Sequence, residues 1–280
     1  MKNLAISYFS SDLSYIYRSP IVKARLTGYY TLMEDATEIS FFYADGIGGQ
    51  GRDLSTAFVQ EVLTDIDKRH IGAELGIEAQ VTPTIKLKGA AAFGQYTYDN
   101  NPDLMLTSDD FDEPIDLGKS YLKDYKIAGG PQQAYQIGFE YRDPDYWWVG
   151  ATSNFFSNAY VDVSPITRSS NFYSDFDGVP YNDYDPEVAR GLLKQEEFDS
   201  YMLVNVVGGK SWKVDDYFIG FFATINNVFD QEYKTGGYEQ GRSASYRNLV
   251  DDANNDTRVF GPKYWYGYGT TYYLNVYLRF

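Results

Sequence analysis

Few residues in this 280-residue chain could do chemistry on a substrate. There is no cysteine and one histidine, His70. The missing thiols remove any disulfide framework and any thiolate metal site. His70 follows Lys68 and Arg69 on the polar parity of an alternating stretch. A hydrolytic role would require a serine or carboxylate partner within reach; the plainer reading is a polar wall or loop residue. SDFDG (174–178) and DDANND (251–256) bring carboxylates together, the oxygen ligands that calcium takes. Neither has the spacing of a known calcium loop, so both read as solvated acidic loops. The glycine groups at 46–51 and 236–237 are followed by no helix carrying Lys-Ser/Thr, so they are not phosphate cradles. No catalytic residue, metal or cofactor is expected.

The remaining candidates are contact residues. Asn226, Asn227, Phe229 and Asp230 sit where a strand gives way to a long loop. Asn226 could touch a ligand, although Asx side chains at such a point more often satisfy a strand end. Tyr238, Glu239 and Arg242 lie further into that loop and are candidate ligand contacts, since loops carry function. The net charge of −15 excludes nucleic acid as a partner. The acid gathers in segments such as SDDFDEPID (108–116) and YNDYDPE (181–187), which would repel anionic substrates within the screening distance.

The elements that must hold these residues are strands. In the last ten residues Tyr272, Leu274, Val276, Leu278 and Phe280 alternate with Thr271, Tyr273, Asn275, Tyr277 and Arg279. Period two over that length makes a strand with two unlike faces. An edge strand of a soluble sandwich also alternates, but an apolar face running to a terminal phenylalanine suits lipid. Aromatics make up 18% of the chain, including 28 tyrosines, whose apolar body and polar tip fit a half-wet surface. No run of eighteen apolar residues exists, so no transmembrane helix is expected; strand barrels need none.

Similar alternation covers 11–18, 22–32 (running on across a bulge to Phe42 or Tyr43), about 58–81, 85–94, 121 to 142 with a break at GGP (129–131), 147–163, 201–212, 217–230 and 271–280. That makes nine strands. Asp185, Pro186 and Glu187 start a helix over 185–198. The connections near 18–20, 82–83, 143–145 and 213–216 are tight; those near 44–57, 99–119, 164–199 and 231–264 are long. Strict alternation of the two predicts an all-β, antiparallel up-and-down transmembrane barrel, with short periplasmic turns and long extracellular loops. Trp147, Trp212, Tyr217 and Phe280 fall beside the short turns or the terminus, as an aromatic girdle would. Lys23, Arg25, Glu74, Glu78, Lys86 and Lys88 share the other face and need a wet or plugged lumen.

ATINNVFDQEY (223–233), TGGYEQGR (235–242) and the closing strand ending in Phe280 resemble the C-terminal end of TonB-dependent outer-membrane receptors. SDLSYIYRSPIVKARLTGYYT (11–31) and YWWVGATSNFFSNAYVDVSP (146–165) resemble their barrel strands, in particular those of receptors with an N-terminal carboxypeptidase-regulatory-like domain. The resemblance covers the whole chain. It implies a 22-stranded barrel in the outer membrane of a Gram-negative bacterium, closed by an N-terminal plug. Such a receptor is not an enzyme. It imports iron chelates, cobalamin or oligosaccharides with energy passed through TonB. It also implies membrane lipid, the plug, TonB and the barrel-assembly machinery at the C-terminal strand as partners, with the loops as the seat of any surface lipoprotein. Nine strands cannot close such a barrel, and MKNLAISYFSSDLSY is no secretory signal. Residues 1–280 therefore read as the C-terminal barrel section of a longer receptor without its plug. A small stand-alone pore or adhesin is the alternative, and an outer-membrane hydrolase the remoter one.

Overall fold

The computed structural model describes residues 6–44, 57–109, 111–175, 178–242 and 245–280. Nine strands form one antiparallel meander in which each strand pairs with the next along the wall. They are β1 (Ser7–Arg18), β2 (Val22–Ala44), β3 (Ala57–Gln80), β4 (Ile85–Tyr98), β7 (Gln133–Arg142), β8 (Trp147–Ser157), β9 (Tyr201–Val214), β10 (Tyr217–Asn226) and β13 (Thr271–Arg279). Two small hairpins lie in the loops: β5 (Asp103–Thr107) with β6 (Ile115–Lys119), and β11 (Lys234–Tyr238) with β12 (Lys263–Tyr266). Two α-helices, α1 (Pro186–Leu192) and α2 (Tyr246–Ala253), and two 3-10 turns, Pro165–Arg168 and Ser170–Phe172, complete the described elements.

The fold is the expected up-and-down antiparallel architecture, with tight turns at one end and long connections at the other. Register puts the alternating residues on common faces. Leu274, Val276 and Leu278 stand opposite Ala223, Phe221 and Ile219. Ile77 and Leu75 stand opposite Ala24 and Leu26 on one side, Gly89 and Ala91 on the other. The opposite face carries the charges. Glu78 lies between Lys23 and Lys88 and forms an ion pair with Lys86 at 3.1 Å. Glu140 takes Lys88 at 2.7 Å and is also paired with Arg142. Hydroxyl pairs continue the polar face, with Ser14–Thr27 at 2.9 Å and Ser10–Thr31 at 3.1 Å.

Small residues shape that face. Gly72 stands opposite both Tyr29 and Gly94. The Tyr29 ring lies across the gap, and its hydroxyl meets that of Tyr96 at 2.7 Å. A Cβ on Gly72 would come within 2.6 Å of Tyr29 Cζ, so only glycine leaves the room.

β2 and β3 run 23 and 24 residues, about twice a bilayer crossing of roughly 9–11 residues. Their pairing shifts between Met33 and Glu38. Asp35 and Asp65 take positive φ there, 59° and 62°, a region that Asp tolerates better than bulky residues.

Several boundaries differ from the sequence expectation: β1 starts at Ser7 and not at 11, and β4 runs on past 94 to Tyr98. Residues 121–127 form no strand, because Leu122 is wholly buried in the loop core. The strand expected to reach Val163 ends at Ser157, where Asn158 turns at φ 57°. β10 stops at Asn226 and not Asp230, with Asn227 at φ 49°. The helix stops at Leu192 and not at 198. Beyond it Gln195 bridges two loops, accepting from Lys126 N at 2.9 Å and donating to the carbonyls of Lys126 and Val161. The helix start is as expected: Asp185 accepts from the backbone N–H of Glu187 and Val188.

Candidate functional site

The long connections fold on one another and build a cap. Its main core joins Val59, Leu63 and Ile66 of β3 to Tyr98, Leu104, Leu106, Leu122, Val163 and Ile166. A second cluster packs Phe172, Ala189 and Tyr246. Burying each such side chain contributes about 1.5–3 kcal/mol, so the cap has its own hydrophobic support.

One side chain ties the loops together. Arg168 is 4% exposed. Its guanidinium donates to Leu193 O at 2.9 Å, to Thr167 Oγ1 at 2.6 Å and to Glu239 Oε1 at 2.9 Å, and it also contacts Glu239 Oε2. It lies over the Tyr125 ring at 4.9 Å. Burial works against the charge, but the Glu239 carboxylate outweighs it and holds Arg168 protonated. Ser164 N donates to the same carboxylate at 3.0 Å.

Beside this pair lies a cavity of about 610 Å³, between α1, α2 and the 258–264 segment. Its apolar lining includes Val188, Leu192, Leu249, Phe260 and Pro262. Three carboxylates reach the wall, and each is engaged. Glu239 holds Arg168. Glu196 pairs with Lys234 at 2.9 Å and accepts from the Tyr264 hydroxyl at 2.5 Å. Burial first, and then that hydrogen bond, pushes the Tyr264 phenol up to about 12. Asp252 is buried and accepts from Val259 N at 2.6 Å and Phe260 N at 3.2 Å. The cations on the wall are Lys194, Arg258 and Lys263, and none makes an ion pair among the described residues.

Two interacting acids, buried Glu61 and the more exposed Asp162, lie under the cap, beyond the membrane-length part of the sheet. Glu61 is 4% exposed; burial pushes its carboxyl up to about 7, against the Ser40 hydroxyl that donates to it at 2.9 Å. Burial, and then the nearby Glu38 charge, pushes Asp162 up to about 6.

The residues singled out in sequence scatter across this frame. Glu239 reaches the cavity wall, where both its oxygens are occupied by Arg168. Tyr238 is part-exposed on β11 with its ring 5.6 Å from Trp265. Arg242 is exposed at the edge of the described residues. Asn226 ends β10 and donates to Thr271 Oγ1 at 3.2 Å. Asn227 is a structural knot: its amide bonds Gln231 and Tyr268, and its backbone N–H meets Asn205. Asp230 accepts from Thr270 N at 2.8 Å. His70 Nε2 is buried without a hydrogen-bond partner, and the ring packs on Tyr96 at 4.6 Å. DDANND is helix end and turn, with Asp252 spent on backbone amides. Among the described residues no group of three or more His, Cys, Asp or Glu could hold a metal. The 46–51 glycine group and residues 176–177 of SDFDG lie outside the described residues. Sequence reasoning missed Arg168 and the cations Lys194, Arg258 and Lys263; Lys194 joins the 258–263 segment only in the cap.

No family model matches the sequence, and no curated protein does. Solved structures do. The chain superposes on the copper transporter OprC with a TM-score of 0.51 at 15% identity, covering 98% of this chain and 32% of that one. The fold is that of a TonB-dependent receptor barrel. Two further structures align over 98% of the chain with lower scores. The FpvA of P. aeruginosa bound to heterologous pyoverdines gives 0.47 at 13% identity over 27% of its length. The siderophore receptor PiuA of Acinetobacter baumannii gives 0.45 at 12% over 44%. The chain spans about a third of the length of the copper transporter OprC.

Proposed function

We propose that the chain is the C-terminal barrel section of an outer-membrane receptor in a Gram-negative bacterium, importing a scarce nutrient with energy passed through TonB. One observation carries the reading: a nine-strand sheet leaves an apolar face uncovered while its opposite face is charged and hydroxylated. Leu274, Val276 and Leu278 are 65%, 69% and 57% exposed, and Phe280 is 94% exposed. Tyr272 extends the same row. No second described sheet packs there, and hydrocarbon is the environment that makes such a face favourable. Trp147, Trp212 and Tyr217, part-exposed beside the tight turns, serve as the girdle at the inner interface. The paired charges Lys86–Glu78 and Lys88–Glu140 line the lumen against a plug domain. The last strand is the handle for barrel assembly, and the cap is the surface that meets the nutrient or a lipoprotein partner.

The test is cell fractionation with surface proteolysis. The receptor is expected in the outer membrane, with cleavage confined to the long connections. Recovery in a soluble fraction, or cleavage at the 143–146 turn from outside, overturns the reading.

A further inference from the structure

We propose that the cap cavity between α1, α2 and the 258–264 segment binds a small organic anion with an apolar body. The inference rests on the transport reading only for what the ligand is for; binding itself stands on the cavity. Its volume, about 610 Å³, is within the usual range of small-molecule sites, roughly 300–1,000 Å³. Its lining is divided. Leu192, Leu249, Phe260 and Pro262 supply apolar surface, while Lys194 after α1 and Arg258 and Lys263 of the 258–264 segment supply positive charge.

The charge balance sets the sign of the ligand. The chain as a whole carries −15, and an unselective cavity in such a protein would be acidic. Here every wall carboxylate is spoken for. Lys234 and the Tyr264 phenol take Glu196, Arg168 takes Glu239, and two backbone N–H groups take Asp252. The three cations are left without a counter-ion among the described residues. Arg258 is close enough to Tyr264 to favour its phenolate, which places its charge at the Glu196 side of the cavity. A carboxylate or phosphate on the ligand would neutralise this set, and its hydrocarbon or aromatic part would lie against Phe260 and Leu249. The acidic loops would repel such an anion at long range; within a Debye length of about 8–10 Å the cavity cations reverse that field.

The experiment titrates the whole receptor, purified from outer membranes in uncharged detergent, with naphthalene-2-carboxylate and with its uncharged amide, read by saturation-transfer NMR and calorimetry. The acid is expected to bind at least about tenfold tighter than the amide, and to weaken as salt rises. K194Q/R258Q/K263Q is expected to lose about tenfold for the acid and nothing for the amide. K123Q/K213Q, which removes positive charge elsewhere, is expected to change neither. Equal binding of acid and amide, or an unchanged triple variant that keeps the wild-type melting curve, overturns the proposal. A triple variant that fails to fold is replaced by the three single variants under the same criterion. Uptake is scored separately in cells: acid binding without energised uptake of any nutrient leaves the cavity standing and sinks the transport reading, while energised uptake with no acid preference does the reverse.

Discussion

Leu274 and Leu104 are both leucines on β-strands, yet one is 65% exposed and the other 1%. The difference separates the two regions of the molecule. Along the wall, apolar side chains dominate one face, interrupted at its turn end by Lys210, and the charged ones gather on the other. In the cap, apolar residues from β3, the β5–β6 hairpin and the later loops turn toward each other and exclude water. The wall behaves as a surface awaiting a nonaqueous solvent, and the cap as a small water-soluble protein grown from its rim. Charge follows the same division. Wall ion pairs such as Lys86–Glu78 are part-exposed, whereas Arg168–Glu239 is shielded and wired to three loops.

That contrast can be broken by substitution. The largest effect is expected from Arg168→Leu, which leaves Glu239 buried without its partner. The loss is expected to be about 3–5 kcal/mol, seen as a lower melting temperature of the cap, with much of it restored in R168L/E239L. Next comes Val276→Lys, a charge on the outward face. It is expected to cost about 2–4 kcal/mol of unfolding free energy in lipid vesicles, against little for Asn275→Lys one residue along; equal costs would erase the distinction between the faces.

A pH effect is expected for the cap alone, carried mainly by buried Glu61. The carboxyls of Glu61 and Asp162 are raised by burial, so the folded cap favours their protonated forms. Their contribution is fully present below pH about 4 and is lost as pH rises through about 6 for Asp162 and about 7 for Glu61. Hydrogen exchange in 158–170 should therefore slow as pH falls from 8 toward 5 after correction for the intrinsic rate, and Glu61→Gln should flatten the trend. The smallest effect is expected for Lys86→Ala, under about 1 kcal/mol, because the ion pair it removes is partly solvated.

The wall was open to sequence reading because its rules are local. Alternation is visible within ten residues, and a turn such as DPD at 143–145 announces itself. The cap was not, because its core is assembled across the chain: Leu63 meets Leu104, Leu122 and Ile166 through contacts that no short window contains. Helix α2 is instructive. The segment drew notice only for its acid, yet Tyr246, Leu249, Val250 and Ala253 carry helical spacing after a Ser245 cap. At 103–119 five-residue strands hide inside what reads as acidic loop. Glu239 stood out in sequence only as a candidate contact; its partner at 168, seventy-one positions away, gave no local signal. Asn227 behaved as its residue type suggested, satisfying the backbone at a strand end.

The glycine pair facing Tyr29 has a consequence for the polar face of the sheet. With no Cβ at Gly72, the Tyr29 phenol lies down along the wall, tethered at its tip to Tyr96. Two rings that would otherwise stand up from that face lie along it, so its relief at that level is set by backbone. A methyl group at position 72 would meet the Tyr29 ring and the Phe93 carbonyl together, and flattening would give way to a ridge.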